Sequence, residues 1–319
     1  MNRLRTNGVG AVDVHQHLWP PELIVALRER CEPPRLRGWT LELTGEPDYL
    51  IDPLDHDVGA RAAQAIGDGL DLALVSLSSP LGIEGLPPAE ARELLDAYHH
   101  GVLALPAPFG GWAAACLSAI DPSALRAQLD RGLVGLQLPA TALLDVAGYD
   151  RARPLLEVLD AADRPLLIHP GPAGGSQRGV EGAPAWWPAI VAYVQQMHAA
   201  WFAFRAYARP RHPGLRVCFA MLAGLAPLHG ERFAARAGGR SPVDPGVFLE
   251  ISSYGTRAVD ATIRVLGIDA LVNGSDRPYA DPARLGLGPA ATHALRGANA
   301  GRLLNPKEVL DDVAVAACA

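Results

Sequence analysis

Residues 133–138 read Leu-Val-Gly-Leu-Gln-Leu, and residues 165–169 read Pro-Leu-Leu-Ile-His. Between them, residues 151–162 read as a helix. Two short apolar runs flanking a helix make a β-α-β unit, the building block of a parallel sheet covered by helices. The same alternation extends in both directions. Upstream, strand-like runs are expected at 11–14, 70–77 and 112–117, with helices at 57–69 and 88–105. Asp121-Pro122-Ser123 reads as a helix start, with Asp121 as N-cap and Pro122 in the first position. Downstream, strands are expected at 215–221, 247–252 and 268–272, and helices at 189–208, 226–237, 258–266 and 290–304. Eight β-like segments, most followed by a helix, predict a closed (β/α)8 TIM barrel rather than an open doubly wound sheet. No GxGxxG joins a strand to a helix, which also argues against a dinucleotide-binding sheet. The whole of 1–319 reads as one barrel domain, with an insertion at about 31–55 and a Pro/Gly-rich loop at about 170–188.

Composition narrows the function. The chain has 319 residues, 49% hydrophobic and 19% charged, so it must bury a large core. Its net charge is −6 and no Lys/Arg cluster tracks a phosphate backbone, so no nucleic acid partner is expected. Apolar runs such as 70–77 are far shorter than the roughly 20 residues of a membrane span, and no membrane association is expected. Arg3 and Arg5 have no apolar stretch behind them, so residues 1–10 do not read as a signal peptide. Cys31, Cys116, Cys218 and Cys318 form no CxxC pair and are expected to be reduced thiols in a cytoplasmic protein. Lys307 is the single lysine, which excludes P-loop and mid-chain Schiff-base chemistry.

Barrel chemistry sits at the C-terminal ends of the strands. Read in order, those ends offer His15 and His17, Ser76 and Ser78, Gln137, His169, Met221, Glu250 and Ser252, then Ser275 and Asp276. His15 and His17 are two apart, so on a strand they share a face. Two imidazoles buried side by side are costly unless something binds them, and a divalent cation does so well. His169 ends the fifth strand, and Asp276 ends the eighth, which neighbours the first in a closed barrel. Singly, each has a bland explanation as a core histidine or a turn cap; the convergence of four is what points to a metal. His56, His99, His100, His198, His212, His229 and His293 fall on helices or loops and read as mostly solvated, with His198 and His229 the two able to approach the rim.

A family resemblance follows from these stretches. Residues 12–20, Val-Asp-Val-His-Gln-His-Leu-Trp-Pro, resemble the opening strand of the amidohydrolase superfamily. Leu167-Ile168-His169-Pro170 resembles its fifth strand, and Asn273-Gly274-Ser275-Asp276-Arg277-Pro278-Tyr279 its eighth. Residues 297–304 resemble its closing helix, and Leu54-Asp55-His56-Asp57 with Arg61 also fits. The branch most similar is the amidohydrolase-related group that contains aminocarboxymuconate-semialdehyde decarboxylase. The resemblance implies one divalent metal on His15, His17, His169 and Asp276, zinc first, with manganese or magnesium as alternatives. It assigns proton transfer to Asp276 and a catalytic part to His169. A lysine-bridged pair of metals is excluded, because the fourth strand carries Gln137.

One position departs from the family. Met221 stands where a strand-six histidine is usual, and a thioether neither gives a proton nor accepts one well. Asp276 alone as base, substitution by a neighbour such as His229, or a site that binds without turnover all remain open. The resemblance implies a metal-dependent hydrolase or nonoxidative decarboxylase acting on a small carboxylated ring, enol, lactone or amide. The alternatives are a metal-free hydrolase with Asp276 as base and a degenerate ligand-binding barrel. Arg35, Arg37, Arg61 and Arg277 are candidate carboxylate clamps. Trp19 is a candidate for the mouth, and Trp186 with Trp187 for a lid or a subunit interface. Met221 is taken to border the substrate, and a homodimer is expected.

Overall fold

The computed structural model describes residues 10–44, 46, 48–173, 183–237 and 243–304. Eight parallel strands form two runs. β1 (Val12–Gln16), β2 (Leu72–Val75) and β3 (Phe109–Gly111) pair in that order. β4 (Leu136–Pro139), β5 (Leu166–His169), β6 (Val217–Phe219), β7 (Val247–Glu250) and β8 (Leu271–Val272) make the second run. Backbone hydrogen bonds span both seams between the runs. Ala113 bridges to Leu136, and its N–H donates to Gly135 O over 2.8 Å. On the other side the Val14 N–H donates to Asn273 O over 2.9 Å. The ring is therefore closed, as the alternation of the sequence predicts.

The helices lie outside. They are α1 (Pro21–Glu29), α2 (Val58–Gly67), α3 (Pro88–Ala104), α4 (Pro122–Arg131), α5 (Val146–Ala162), α6 (Tyr193–Ala203), α7 (Gly230–Ala237) and α8 (Thr256–Leu266), followed by shorter helical turns to Leu304. One apolar cluster draws on every strand or its flank: Val12 and Val14, Leu72 and Leu74, Trp112, Val134, Leu167, Cys218, Phe248 and Val272. A set fed by all eight strands is the barrel interior. Residues of the other parity, such as Ala73, Val75, Leu166 and Ile168, pack outward against the helices.

Strand β1 has a β-bulge that matters for the site. Asp13 pairs with Ala73 but Gln16 pairs with Val75, so β1 carries one residue more than its partner. Without it, His15 would face away from the interior that Val12 and Val14 fill. With it, His15 and His17 turn inward at the top of the barrel. Asp13 and Gln16 remain on the other side, bonded to each other (Gln16 Nε2 to Asp13 Oδ2, 3.3 Å).

Several elements differ from their sequence expectations. The third strand is Phe109–Gly111, earlier than the predicted 112–117. Its Gly110-Gly111 pair carries no strand signal, yet a Cβ on Gly111 would lie 2.2 Å from Val102 Cγ1 on α3, so only glycine fits there. Helix α5 starts at Val146 rather than at 151, because the Asp145 side chain caps it by accepting from the Gly148 N–H. Asp121 caps α4 and Pro122 opens it, as read from the sequence. The predicted 226–237 helix is α7 alone. Ahead of it, Met221, Leu222, Ala223, Gly224 and Leu225 all have φ between 48° and 62°, a left-handed turn that helix periodicity does not reveal. The 31–55 insertion holds three short antiparallel strands, Arg35–Arg37, Thr40–Glu42 and Tyr49–Leu50. Residues 174–182 of the predicted 170–188 loop, and Lys307, lie outside the described residues. No helix among the described residues is long and apolar enough to cross a membrane.

Three histidines expected to be solvated are buried instead: His56, His99 and His212. His56 Nδ1 accepts from the Trp19 N–H, and His212 pairs with Asp160. His99 Nε2 accepts from the Ala114 N–H just past β3 (3.0 Å), and burial pushes its pKa down to about 4. The sign follows from linkage. The unfolded chain protonates His99 below about 6.5 while the folded chain does not, so stability is full above 6.5 and is lost as pH falls towards 4. Urea denaturation at pH 7 and pH 5 should show His99 costing about 2 kcal/mol of stability at the lower pH, a loss absent from His99→Gln.

Candidate metal centre

His15, His17, His169 and Asp276 place one ligand atom each within 4.8 Å of one another. The seam between β1 and β8 builds this cluster. Ser275 N–H and Asp276 N–H both donate to His15 O (3.1 and 2.9 Å), and His17 N–H donates to Arg277 O. Asp13 ties the same seam, accepting from His15 N–H and Ser275 N–H on Oδ1, both at 3.1 Å. Burial raises its pKa to about 6 against those bonds. Asp276 sits at φ 58°, a left-handed position that Asp tolerates better than most residues. That turn brings its carboxylate back over the histidines: Oδ1 is 3.2 Å from His17 Nε2 and 3.7 Å from His15 Nε2.

The imidazoles meet edge to face, with ring centroids 4.8–5.1 Å apart. His17 and His169 anchor Nδ1 on backbone carbonyls outside the centre. His17 Nδ1 donates to Ser76 O (3.0 Å), with Ser78 Oγ at 3.2 Å, and His169 Nδ1 donates to Pro170 O (2.8 Å). Carbonyls only accept, so both rings carry their proton on Nδ1 and keep the Nε2 lone pair inward. His15 Nδ1 faces a carboxylate, Glu250 Oε1, at 3.3 Å. Burial lowers the pKa of His17 and, further, of His169, where the two other imidazoles add to the effect. Burial opposes charge on His15 as well, but Glu250 and Asp276 outweigh it and raise its pKa to about 8.

These residues fit a metal ion. His15 Nε2 and His17 Nε2 stand 3.2 Å apart in a buried site, close enough to share one proton in a hydrogen bond or to ligate one cation in its place. Nitrogen and oxygen ligands held at 2.0–2.1 Å around one ion stand about 3–3.5 Å from each other. Outward Nδ1–H groups on fixed acceptors are the usual outer support of metal-binding imidazoles.

The other residues singled out from the sequence fall elsewhere. Arg61 is buried behind the site: Nη1 donates to His17 O and Asp55 O, and Nη2 to Gln16 Oε1 (2.9, 2.7 and 2.6 Å). Its guanidinium braces β1 and the loop after it. Trp19 is also buried, donating from Nε1 to Ser78 Oγ and stacked on His56. Arg277 pairs with Asp68 (2.8 Å), and Arg37, exposed at the end of its insertion strand, pairs with Glu42. Trp186 is exposed beside Trp187, 5.9 Å between centroids. His198 and His229 stand against each other, 5.0 Å between centroids, and are not members of the donor cluster. Met221 is half-buried at the end of β6, and its N–H donates to Glu250 Oε1 over 2.5 Å.

Glu250 is the group that sequence reasoning passed over. In the sequence it is one of seven strand ends that carry candidate residues. A carboxylate closing the apolar run Val247-Phe248-Leu249 was the available signal, since a buried charge needs partners.

No protein-family model matches the sequence, and no curated protein matches it significantly. Solved structures do share its shape. The chain is similar to IDCase of Metarhizium anisopliae in its apo form, at 19% identity and a TM-score of 0.75, over 96% of this chain and 100% of that one. It is similar to 5-carboxyvanillate decarboxylase of Novosphingobium aromaticivorans complexed with manganese and 4-hydroxy-3-methoxy-5-nitrobenzoic acid, at 17% identity and a TM-score of 0.68, over 94% and 97%. A protein described as amidohydrolase II aligns at 18% identity with a TM-score of 0.69, over 92% and 99%. The chain thus has the (β/α)8 barrel fold of these proteins.

Replacing Arg61 by Ala leaves Gln16 Oε1 and two carbonyls without their donor behind the centre. Urea denaturation should show a loss of about 3 kcal/mol, and Arg61→Lys, which lacks the fork, should restore only part of it.

Proposed function

We propose that this chain is a metal-dependent carboxy-lyase that removes carbon dioxide from a small carboxylated aromatic or related ring. The convergence of His15, His17, His169 and the Asp276 carboxylate on one buried point at the C-terminal rim carries this reading. The decarboxylase names and bound manganese of structures sharing the fold support it. Three imidazoles and one carboxylate suit zinc, and manganese is the second choice.

A divalent ion held there supplies Lewis acidity to the oxygens of the substrate. The chain supplies the rest. Asp276 is the donor with solvent exposure, its side chain 19% exposed, so it can take up a proton and face the substrate. When the bond to the carboxylate carbon breaks, its electron pair stays on the ring carbon. A proton carried on Asp276 takes the vacated position as carbon dioxide leaves. His17 and His169 stay neutral and keep their lone pairs inward, because burial disfavours their charged forms. Tyr279, 5.4 Å from the His17 ring, offers an aromatic face to the substrate beside the donors. Arg277 and Trp186 border the outer part of this space in our reading, whereas Arg61 and Trp19 act through Gln16 and Ser78.

We also propose a cytoplasmic homodimer. Tyr49, Leu50 and Leu54 on the insertion and Trp186 and Ile190 beyond β5 are exposed apolar side chains of the kind a subunit interface covers. Light scattering on a sizing column should give twice the chain mass.

Elemental analysis of the purified protein should show near-stoichiometric zinc or manganese, absent from His15→Ala/His17→Ala. The loaded protein should then release carbon dioxide from a panel of hydroxylated benzoates, and Asp276→Asn should slow this by roughly 10²- to 10⁴-fold. Hydrolysis of lactones or amides without carbon dioxide release would replace the lyase reading by a hydrolase. No metal after reconstitution would favour a metal-free or binding role.

A further inference from the structure

His15 differs from the other two imidazoles in what stands behind it. His17 and His169 rest on backbone carbonyls, while His15 Nδ1 is 3.3 Å from the carboxylate of Glu250 on β7. Glu250 is fully buried and tightly held. Its Oε2 accepts from Ser252 N–H (2.6 Å), and its Oε1 accepts from Ser252 Oγ (2.7 Å) and from Met221 N–H (2.5 Å). Gly274, just before the β8 turn that carries Asp276, leaves the room this carboxylate occupies: a Cβ there would fall 2.5 Å from Glu250 Oε2. One carboxylate therefore touches groups from β1, β6, β7 and β8 at once.

The Met221 contact is made by the backbone. It anchors the first residue of the left-handed turn Met221–Leu225, four of whose members are not glycine and pay for that conformation. From this corner of the barrel, Glu250 reaches His15.

We propose that Glu250 is a positioning residue for the metal centre: it fixes the tautomer and aim of His15 and pins the strand-six turn to the same point through the Met221 N–H. This rests on the metal-centre reading above. Glu250→Gln keeps the shape but turns an NH2 group towards either Ser252 N–H or the Met221 and His15 donors, so one contact must fail.

The test strips the full-length protein with a chelator and titrates Zn²⁺ in competition with a chromophoric chelator. Glu250→Gln should bind Zn²⁺ roughly 10- to 100-fold more weakly, and Met221→Leu, which keeps the N–H, should stay within about twofold of wild type. Nitrogen-15 spectra of labelled histidines, taken without metal and well above the His15 pKa of about 8 so that the ring is neutral, should show His15 protonated on Nδ1 in the wild type and a mixture of tautomers in Glu250→Gln. Unchanged affinity and an unchanged tautomer in a folded Glu250→Gln overturn the proposal, as does an equal loss in Met221→Leu. If Glu250→Gln does not fold, Ser252→Ala, which removes the Oγ contact and keeps the N–H, should still weaken Zn²⁺ binding several-fold; no change there overturns the proposal too. If the wild type takes up no Zn²⁺, the metal reading fails, and the His15 tautomer still decides what Glu250 does.

Discussion

The seam between the first and last strands is the constraint on which this structure depends. Val14, His15 and His17 take part in backbone bonds to Asn273, Ser275, Asp276 and Arg277. Asp13 adds a side-chain link from β1 to Ser275. These bonds close the ring, and they also set the geometry of the centre, since two donors come from one side of the seam and one from the other. A barrel could close with its strands one residue out of register. The bulge in β1 and the left-handed Asp276 would then deliver their side chains to different places.

Burying three imidazoles and a carboxylate together is expensive, and the chain offsets that cost from outside. His17 and His169 have their outer nitrogens on carbonyl acceptors, and His15 turns its own towards the Glu250 carboxylate 3.3 Å away. The acceptors are unequal, two neutral carbonyls and one carboxylate, and this grades the basicity of the rings. Arg61 and Asp13 brace the back of β1 in the same spirit, holding Gln16 and the strand so that the bulge keeps its side chains in place.

Much of this was legible in the sequence, and for physical reasons. The period-two spacing of His15 and His17, and the position of His169 and Asp276 at strand ends, depend only on local pattern and the barrel rule, so the four donors could be named. The unread parts depend on close contacts between distant segments. The β1 bulge is visible only against β2. The Gly110-Gly111 strand looks like a loop until Val102 is seen pressing on it. The burial of His56, His99 and His212 follows from what folds over them, not from their own helices or loops. Glu250 is visible in the sequence as a strand end, but its role depends on the strands that meet at its carboxylate.

The seam also imposes an order in time. Asn273 Nδ2 donates to Val12 O across 261 residues of chain, among the longest separations the fold contains. Contacts of that span form late, because the loop entropy between them must be overcome first. During synthesis, His15 and His17 emerge long before Asp276. The nascent chain therefore carries an incomplete set of ligands until its last strand docks. Ion capture at the proposed centre would therefore follow closure of the barrel and would not template the early strands.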